Sequence, residues 1–237
     1  MQDIYKELEN RWSGAVSQIK KVFEDDWISN INDITKVVDT LLQSEKTVLG
    51  VCGPGASGKS TFLNHLCQSY GFKRLINTTT RAQREGEKEN IEYRFISFDK
   101  YQKDVANGQY VVHEQKSGRG YYGIYWRDFN KIIQENKICI IESPLVLSRL
   151  FSVMNDQIHQ NYQFFLLYFI PNEPIIKNLK TYLLNRDSNL TEEKVMVEHG
   201  WRQIEEFCSL ISIKNNKLIA SYVIQGIVIE KIFGGRV

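Results

Sequence analysis

Residues 53–61, "GPGASGKST", decide which fold this sequence predicts. They follow a short apolar run, Thr47–Cys52, "TVLGVC", which is typical of a buried strand, and they lead into the helical pattern "KSTFLNHLCQSY". The spacing G-x-x-x-x-G-K-[ST] is met by Gly53, Gly58, Lys59 and Ser60. Because this spacing lies between a predicted strand and a predicted helix, it indicates a phosphate-binding loop.

The loop also predicts the cofactors. Glycines let the backbone wrap closely around phosphates, and the start of the following helix presents its positive end to them. Lys59 is expected to reach the β- and γ-phosphates of ATP, and the Ser60 hydroxyl is expected to hold Mg²⁺. The expected nucleotide site is the whole loop: Gly53, Pro54, Gly55, Ala56, Ser57, Gly58, Lys59, Ser60 and Thr61.

Further apolar runs indicate an α/β fold. Continuous runs at 137–142 and 163–170, with a weaker one at 220–225, alternate with helical patterns at 127–136, 144–158, 173–186 and 191–210. Buried strands that alternate with helices predict a P-loop kinase fold with a parallel sheet flanked by helices. Within 91–125, three alternating runs surround a short helix and predict a small antiparallel subdomain inserted into that fold.

The first 46 residues read as helix and predict an N-terminal helical extension ahead of a domain at 47–237. Apolar residues recur at steps of three and four, as on one face of a helix: Ile4, Leu8, Trp12, Ala15, Ile19 and Val22, then Ile31, Ile34, Val38 and Leu41. The favoured interpretation is two amphipathic helices packed on that domain. The alternative is an arm that binds a partner or a second copy of the chain.

Composition excludes several classes of protein. The chain has 237 residues and a formal net charge of +2, too small to favour nucleic acid or an anionic membrane as the main partner. No apolar run approaches the roughly 18 residues of a membrane span, and the polar, acidic start predicts no signal peptide. A cytoplasmic location is expected, because the spacing of the cysteines fits neither a zinc site nor a disulfide framework: Cys52, Cys67, Cys139 and Cys208.

The stretch 78–93, "TTTRAQREGEKENIEY", is suited to hold a second phosphate. Arg81 and Arg84 offer guanidinium groups that grip phosphate in a two-pronged fork, and Tyr93 adds a phenol donor. The "YYG" at 121–123 offers further tyrosines, among them Tyr122. A loop that binds ATP therefore has a predicted neighbour that binds a small phosphorylated acceptor.

Together these motifs resemble the guanylate kinases, over roughly residues 47–233. The resemblance implies an ATP-dependent nucleoside-monophosphate kinase that acts on GMP, dGMP or a related nucleotide. For such a kinase the resemblance implies an acceptor-binding insertion at 78–125 and a mobile lid at 186–202. It further implies that Arg81, Arg84, Tyr93 and Tyr122 hold the acceptor phosphate, and that Lys59, Arg81 and the lid residue Arg186 are catalytic. Because the acceptor phosphate is already an anion, in-line transfer needs no strong base.

The positions that read the base in that family differ here. Asn77 replaces a serine, and the family's glutamate falls by residue count on His113, although Glu114 serves if the loop is one residue shorter. Glu142 is expected to orient Mg²⁺ through water and to contribute to the acceptor site, but the second acidic position after it is Pro144. A further position that is polar in that family is occupied here by Ile124, which can neither donate nor accept a hydrogen bond.

Two interpretations of the acceptor follow and stay open. Either polar neighbours such as Glu114 and Ser143 restore the reading of guanine, or the acceptor is another nucleotide or a sugar phosphate such as ribose 1,5-bisphosphate. The lid is also altered, because the family's second lid arginine falls near Glu198 and Arg202 lies one helical turn away. A non-catalytic interaction module is the remaining alternative, against which Lys59 and Ser60 count.

Overall fold

The computed structural model describes residues 2–55, 57–84, 86–116, 120–158, 162–186, 191, 201–216, 218–227 and 233. The described strands, in chain order, are β1 (Trp27–Ile28), β2 (Thr47–Cys52), β3 (Lys73–Arg74), β4 (Thr78–Thr79), β5 (Arg94–Phe95), β6 (Tyr110–Lys116), β7 (Gly120–Tyr125), β8 (Lys137–Ile141), β9 (Gln163–Ile170) and β10 (Ile219–Gln225).

The described helices lie between these strands and at the start of the chain. They are α1 (Gln2–Phe23), α2 (Ile31–Gln43), α3 (Lys59–Ser69), α4 (Phe98–Ala106), α5 (Trp126–Ile132), α6 (Pro144–Ile158), α7 (Ile175–Arg186), α8 (Arg202–Cys208) and α9 (Leu210–Lys214). Among these described helices, none combines the length and the apolar character that crossing a membrane requires.

A six-stranded parallel sheet, in the order β1-β10-β9-β2-β8-β3, forms the centre of the described structure. Both of its faces are covered, which explains the continuous apolar runs in its strands. In β9, for example, Leu166 and Tyr168 point into one hydrophobic cluster, whereas Phe165 and Leu167 point into the other. The predicted α/β fold with a parallel sheet flanked by helices is confirmed.

A smaller sheet with the order β5-β4-β7-β6 is inserted between β3 and β8. Its β4–β7 and β6–β7 pairs are antiparallel, as predicted for the inserted subdomain, but β4 and β5 pair in parallel. The strand expected from 91 onward is reduced to Arg94–Phe95, because a turn in which Asn90 has a φ of 59° and donates its N–H to the Tyr93 carbonyl precedes it. The loop before that turn is long enough for β5 to return beside β4 in the same direction.

The two N-terminal helices use their apolar faces in the core, which agrees with the packing interpretation. Helix α1 buries Leu8 and Trp12 in the same cluster as residues of α6, α7 and α8, whereas α2 buries Val38 and Leu41 in the cluster on the other face of the sheet. Between them, β1 adds a parallel edge strand next to β10, with Trp27 opposite Val223. The sequence did not predict β1, because two residues are too few to show an alternating pattern.

Trp12 gives a measurable test of how firmly this extension is part of the core. Its side chain is fully buried and lies 5.6 Å from the ring of Phe207, centroid to centroid. Trp12→Ala is therefore expected to lower the free energy of unfolding by about 3–5 kcal/mol, the usual cost of deleting a large buried side chain. Chemical denaturation followed by circular dichroism measures this.

The exposed residue Lys21 on the same helix is the control, because Lys21→Ala should change stability by no more than about 0.5 kcal/mol. Equal stability of both variants would contradict the packing of α1 on the core.

Candidate active site

The glycine-rich loop lies at the carboxyl end of the central strand β2, and two of its glycines cannot be replaced without strain. Gly53 has a φ of 125°, and a Cβ built there would lie 2.2 Å from the backbone oxygen of Phe169 in β9. Gly58 has a φ of 87° and forms the N-cap of α3. These conformations and this close approach favour glycine. The loop also lies between β2 and α3, so the strand–loop–helix context predicted for the motif is present.

The side chains of the loop suit phosphate. The Lys59 ammonium folds back over the loop and donates hydrogen bonds to the Pro54 carbonyl oxygen at 2.6 Å and to the Ser57 hydroxyl at 3.3 Å. Ser60 and Thr61 lie exposed in the first turn of α3, where helix N–H groups are unpaired. Ala56 lies outside the described residues. An ammonium and free N–H groups at one helix start form an anion site.

The loop also fits Mg²⁺ that is bound chiefly through phosphate, because the Ser60 hydroxyl supplies one protein oxygen. Within the described residues, no group of three or more His, Cys, Asp or Glu side chains is placed to hold a metal ion. Mg²⁺ usually keeps several waters and is bound through one or two protein oxygens together with substrate phosphates. The exposed Ser60 hydroxyl at the loop is such an oxygen.

The two predicted arginines are organised by Glu87. The Arg81 guanidinium donates two parallel hydrogen bonds to the Glu87 carboxylate, at 2.7 and 2.6 Å, and the backbone N–H of Arg84 donates to the same carboxylate at 2.9 Å. Burial opposes both charges, but the ion pair raises the pKa of Arg81 and lowers the pKa of Glu87 relative to their usual values. Arg81 is thus held as a cation in a fixed orientation before any acceptor binds.

Two tyrosines complete the expected phosphate grip. The Arg81 guanidinium lies 4.8 Å from the centroid of the Tyr93 ring, and the Tyr93 and Tyr122 rings meet edge to face with centroids 5.9 Å apart. Burial raises the pKa of Tyr93, so its hydroxyl remains a hydrogen-bond donor at neutral pH. The structure therefore brings Arg81, Arg84, Tyr93 and Tyr122 into one neighbourhood, while their role in holding the acceptor phosphate stays a prediction.

A buried polar cluster extends this neighbourhood toward the main sheet. Glu142, just beyond β8, has a side chain only 2% exposed, and Asn77 donates to its Oε1 at 2.7 Å. The second oxygen, Oε2, accepts hydrogen bonds from the Lys116 ammonium at 2.6 Å and from the Ser143 N–H at 2.7 Å. Both oxygens of Glu142 are thus already occupied by protein donors.

Register decides which residue of β6 joins the cluster. Glu114 pairs with Tyr122 across the sheet, lies 3.2 Å from the Lys116 ammonium and accepts a hydrogen bond from the Ser143 hydroxyl at 3.2 Å. His113 points to the opposite face, where its Nδ1 lies 3.1 Å from the Tyr101 hydroxyl. The structure therefore brings the predicted residue Glu114 to the acceptor neighbourhood and does not bring His113 there.

Ile124 and Pro144, which stand where the resemblance led us to expect polar residues, have structural roles. Ile124 is 1% exposed and lies opposite Val112 in the main hydrophobic cluster, so it is a core residue rather than a missing base contact. Pro144 begins helix α6, where a proline lacks only an N–H that has no helical partner. Neither residue has to be replaced by a polar one for the pocket to be polar.

The cradle and the polar cluster meet near the end of β2. Cys52 is the last residue of that strand, and burial raises the pKa of its thiol. The carboxylate of Glu142 raises this pKa further, whereas the ammonium groups of Lys59 and Lys116 oppose it. The strand register shows the same proximity, because Val51 of β2 pairs with Ile141 of β8 in parallel. The glycine-rich loop and Glu142 therefore follow neighbouring strand ends, at the edge where parallel α/β sheets bind their ligands.

The lid is only partly described. Arg186 is the last residue of α7, and Arg202 is the first residue of α8. Most of the expected lid, at 187–190 and 192–200, lies outside the described residues. The lid and its second arginine therefore remain predictions.

Glu87 and Lys116 belong to the site although the sequence analysis gave them no role there, whereas Ser143 was already considered there as a polar neighbour. A weak signal for Lys116 existed, because it directly follows the predicted strand "QYVVHEQ" (109–115) and lies two residues after Glu114, so a strand longer by one residue places both on the same face. Glu87 contacts Arg81 through the conformation of the loop, which periodicity does not predict.

Comparison with known proteins agrees with this geometry. A family model described as guanylate kinase matches residues 44–218. The chain is 33% identical to the guanylate kinase of Sus scrofa over 95 residues, which cover 39% of this chain and 48% of that protein. It is also 33% identical to the guanylate kinase of Campylobacter jejuni over 101 residues, covering 40% and 47%. The matches span about half the length of these curated relatives.

A solved structure supports the fold. The crystal structure of guanylate kinase from Anaplasma phagocytophilum aligns with a TM-score of 0.51 and 17% identity, covering 81% of this chain and 82% of that one. At this identity, the likeness concerns the arrangement of strands and helices and not the chemistry of individual residues.

Proposed function

The chain belongs to the guanylate kinase family, and from that premise we propose that it is an ATP-dependent nucleoside-monophosphate kinase. The reaction is transfer of the γ-phosphoryl group of ATP to the phosphate of GMP, dGMP or a related nucleotide. The observation that carries this proposal is the juxtaposition of two phosphate sites. The group around Arg81 is connected to Glu142 through the contacts of Tyr93, Tyr122 and Lys116. Glu142 follows β8 at the same end at which the loop with Lys59 follows the neighbouring strand β2.

On the donor side, the loop amides and Lys59 bind and orient the phosphates of ATP. Ser60 would hold Mg²⁺, which when bound would offset charge on the phosphate oxygens. Gly53 lets the loop lie close to the backbone of β9, so the cradle packs directly against the sheet. The protein supplies position and charge, which is what phosphoryl transfer chiefly requires.

On the acceptor side, Arg81 and Arg84 take the acceptor phosphate, assisted by the hydroxyls of Tyr93 and Tyr122. Glu87 and the Ala82 carbonyl take three of the five guanidinium N–H groups of Arg81 and fix its orientation, so little side-chain entropy is lost when a phosphate binds the remaining two. Arg186 acts from the lid. The acceptor phosphate is itself the nucleophile, and no residue of the site has to remove a proton.

The identity of the base is a finer question, and one observation favours an acceptor other than GMP. Glu142 corresponds to a position expected to contribute to base reading, yet both of its oxygens are bonded to Asn77, Lys116 and Ser143. Glu114 remains as a carboxylate for a base N–H group. The pocket therefore differs from one that reads guanine with two free carboxylates.

Measuring ADP release over a panel of acceptors tests the proposal. The purified full chain is incubated with ATP, Mg²⁺ and one acceptor at a time: GMP, dGMP, AMP, UMP, CMP or ribose 1,5-bisphosphate. We expect at least one nucleoside monophosphate to raise ADP release far above the rate without acceptor. A rate that stays at the background for every nucleoside monophosphate would contradict the kinase proposal and favour a binding module.

A further inference from the structure

Lys116, the last residue of β6, lies at the junction of the acceptor site without a role in the reaction described above. Its ammonium nitrogen is 2.6 Å from Glu142 Oε2 and 3.2 Å from Glu114 Oε1. It also lies 4.6 Å from the centroid of the Tyr122 ring, the tyrosine that contacts Tyr93. The ammonium therefore lies between the phosphate grip and the buried polar cluster.

The ammonium is firmly held in its charged form. Burial alone would lower the pKa of Lys116, but the carboxylates of Glu142, Glu114 and Glu206 raise it above its usual range. An ammonium has three N–H donors, and the two carboxylates at hydrogen-bond distance take up two of them. The third N–H of the Lys116 ammonium is left to donate a hydrogen bond to a bound ligand.

The cluster that contains Lys116 also holds two oxygens that can accept a hydrogen bond from a ligand, one on Asn77 and one on Glu114. Asn77 is 3% exposed and directs both N–H bonds of its amide to protein oxygens, on Ile141 and Glu142. Its own oxygen, Oδ1, is buried and has no hydrogen-bond partner among the described residues. A buried polar atom without a partner costs roughly 1–3 kcal/mol, so a ligand N–H at this point would recover that energy. Glu114 offers a second such acceptor, because its Oε2 has only a 3.5 Å contact with the Ser143 hydroxyl.

Building on the proposed function, we infer that Lys116 binds the acceptor directly and determines its class. The acceptor presents the uncharged edge of a nucleobase, with a lone pair toward Lys116 and an N–H group toward Glu114 or Asn77. Such edges carry donors and acceptors side by side, which is the pattern that these three residues offer.

The charge of the cluster favours a base over a second phosphate. Lys116 lies between two carboxylates, so the three groups carry a formal net charge of −1, and Glu206 adds a further negative influence. A phosphate dianion placed here would be repelled in a partly desolvated site, where repulsion is stronger than in water. A sugar bisphosphate is therefore disfavoured as the acceptor, although its first phosphate would fit the group around Arg81.

The inference is tested by binding rather than by turnover, so that it is separable from the kinase proposal. Isothermal titration calorimetry measures the affinity of the full chain for GMP, AMP, UMP, CMP and ribose 1,5-bisphosphate, and separately for a non-hydrolysable ATP analogue. Lys116→Met is expected to weaken the tightest nucleoside monophosphate by roughly 10- to 150-fold, the loss of one charged hydrogen bond. The weaker nucleotides should lose less, so the preference among bases flattens, and affinity for the ATP analogue should not change.

Two further variants distinguish ligand binding by Lys116 from a purely structural role. Lys103→Met makes the same replacement at an exposed lysine of α4 in the same subdomain and should leave every affinity unchanged. Lys116→Arg keeps a cation between the two carboxylates, so it preserves the fold, but its longer, planar head moves the donors and should alter the ranking of the bases. A Lys116 that only stabilises the fold would lower the melting temperature in Lys116→Met and leave the ranking intact in both variants.

Each result then supports or overturns one proposal. A ranking of bases that changes in both Lys116 variants supports the inference, even if no nucleotide is phosphorylated, in which case only the kinase proposal fails. The inference is overturned if the affinities of all nucleotides fall equally or stay the same, while turnover by the wild-type chain would leave the kinase proposal standing. It is also overturned if ribose 1,5-bisphosphate binds more tightly than every nucleoside monophosphate, or if none of the panel binds.

Discussion

Replacing Lys59 with alanine is expected to reduce phosphoryl transfer by about 10³-fold or more while the chain stays folded. The Lys59 ammonium lies over the loop, within hydrogen-bond distance of the Pro54 carbonyl and the Ser57 hydroxyl. There it can stabilise the negative charge on the phosphoryl group during transfer. The loss of one such cation or donor typically lowers kcat by about two to five orders of magnitude. Steady-state ADP release with the best acceptor of the panel measures the effect.

The control for this variant is a lysine without a role in the cradle. Lys131→Ala, at an exposed position of α5, should keep the wild-type rate and melting temperature. Lys59→Ala should match it in melting temperature, because the side chain is not part of the hydrophobic core. If Lys59→Ala turned over at the rate of Lys131→Ala, the loop would not be a catalytic phosphate cradle, and the kinase proposal would fail with it.

The cradle was predictable because its determinants are local. A buried apolar strand, glycines with positive φ and a helix that starts at Lys59 are adjacent in the sequence, and each is signalled by residue type. The same holds for β8, β9 and α6, whose apolar runs match the observed elements to within a residue. Short elements were not predictable, since β1 and β5 have two residues each and are fixed by the strands beside them.

The acceptor neighbourhood was only half predictable. Arg81, Arg84 and Tyr93 form a recognisable pattern because their spacing along one loop is itself informative. The choice between His113 and Glu114 depended on the register of β6 against β7, which counting along the sequence does not fix. The contact between Lys116 and Glu142 joins an inserted sheet to the main sheet, so only the tertiary structure reveals that the pocket holds a buried cation.

The second large effect is expected at Arg81. Arg81→Ala should lower kcat/KM for the acceptor by at least about 100-fold and leave the KM for ATP unchanged. Glu87 fixes the orientation of the guanidinium, which lies 4.8 Å from the centroid of the Tyr93 ring, and two of its five N–H groups remain after those bonded to Glu87 and Ala82. Each charged hydrogen bond to a phosphate contributes about 1.5–3 kcal/mol. Two such bonds account for a loss of that size or larger. Initial rates measured over a matrix of ATP and acceptor concentrations separate the two constants.

Two companion variants show whether the fork or merely its charge is required. Arg81→Lys keeps the cation but cannot form two parallel bonds, so it should recover only part of the loss. Arg127→Ala removes an exposed arginine of α5, whose side chain is 65% exposed, and should behave as wild type toward the acceptor. If Arg81→Ala instead raised the KM for ATP and spared the acceptor, Arg81 would belong to the donor side. The group around Glu87 would then not be the acceptor's phosphate site, and the assignment of Tyr93 and Tyr122 to that phosphate would fall with it.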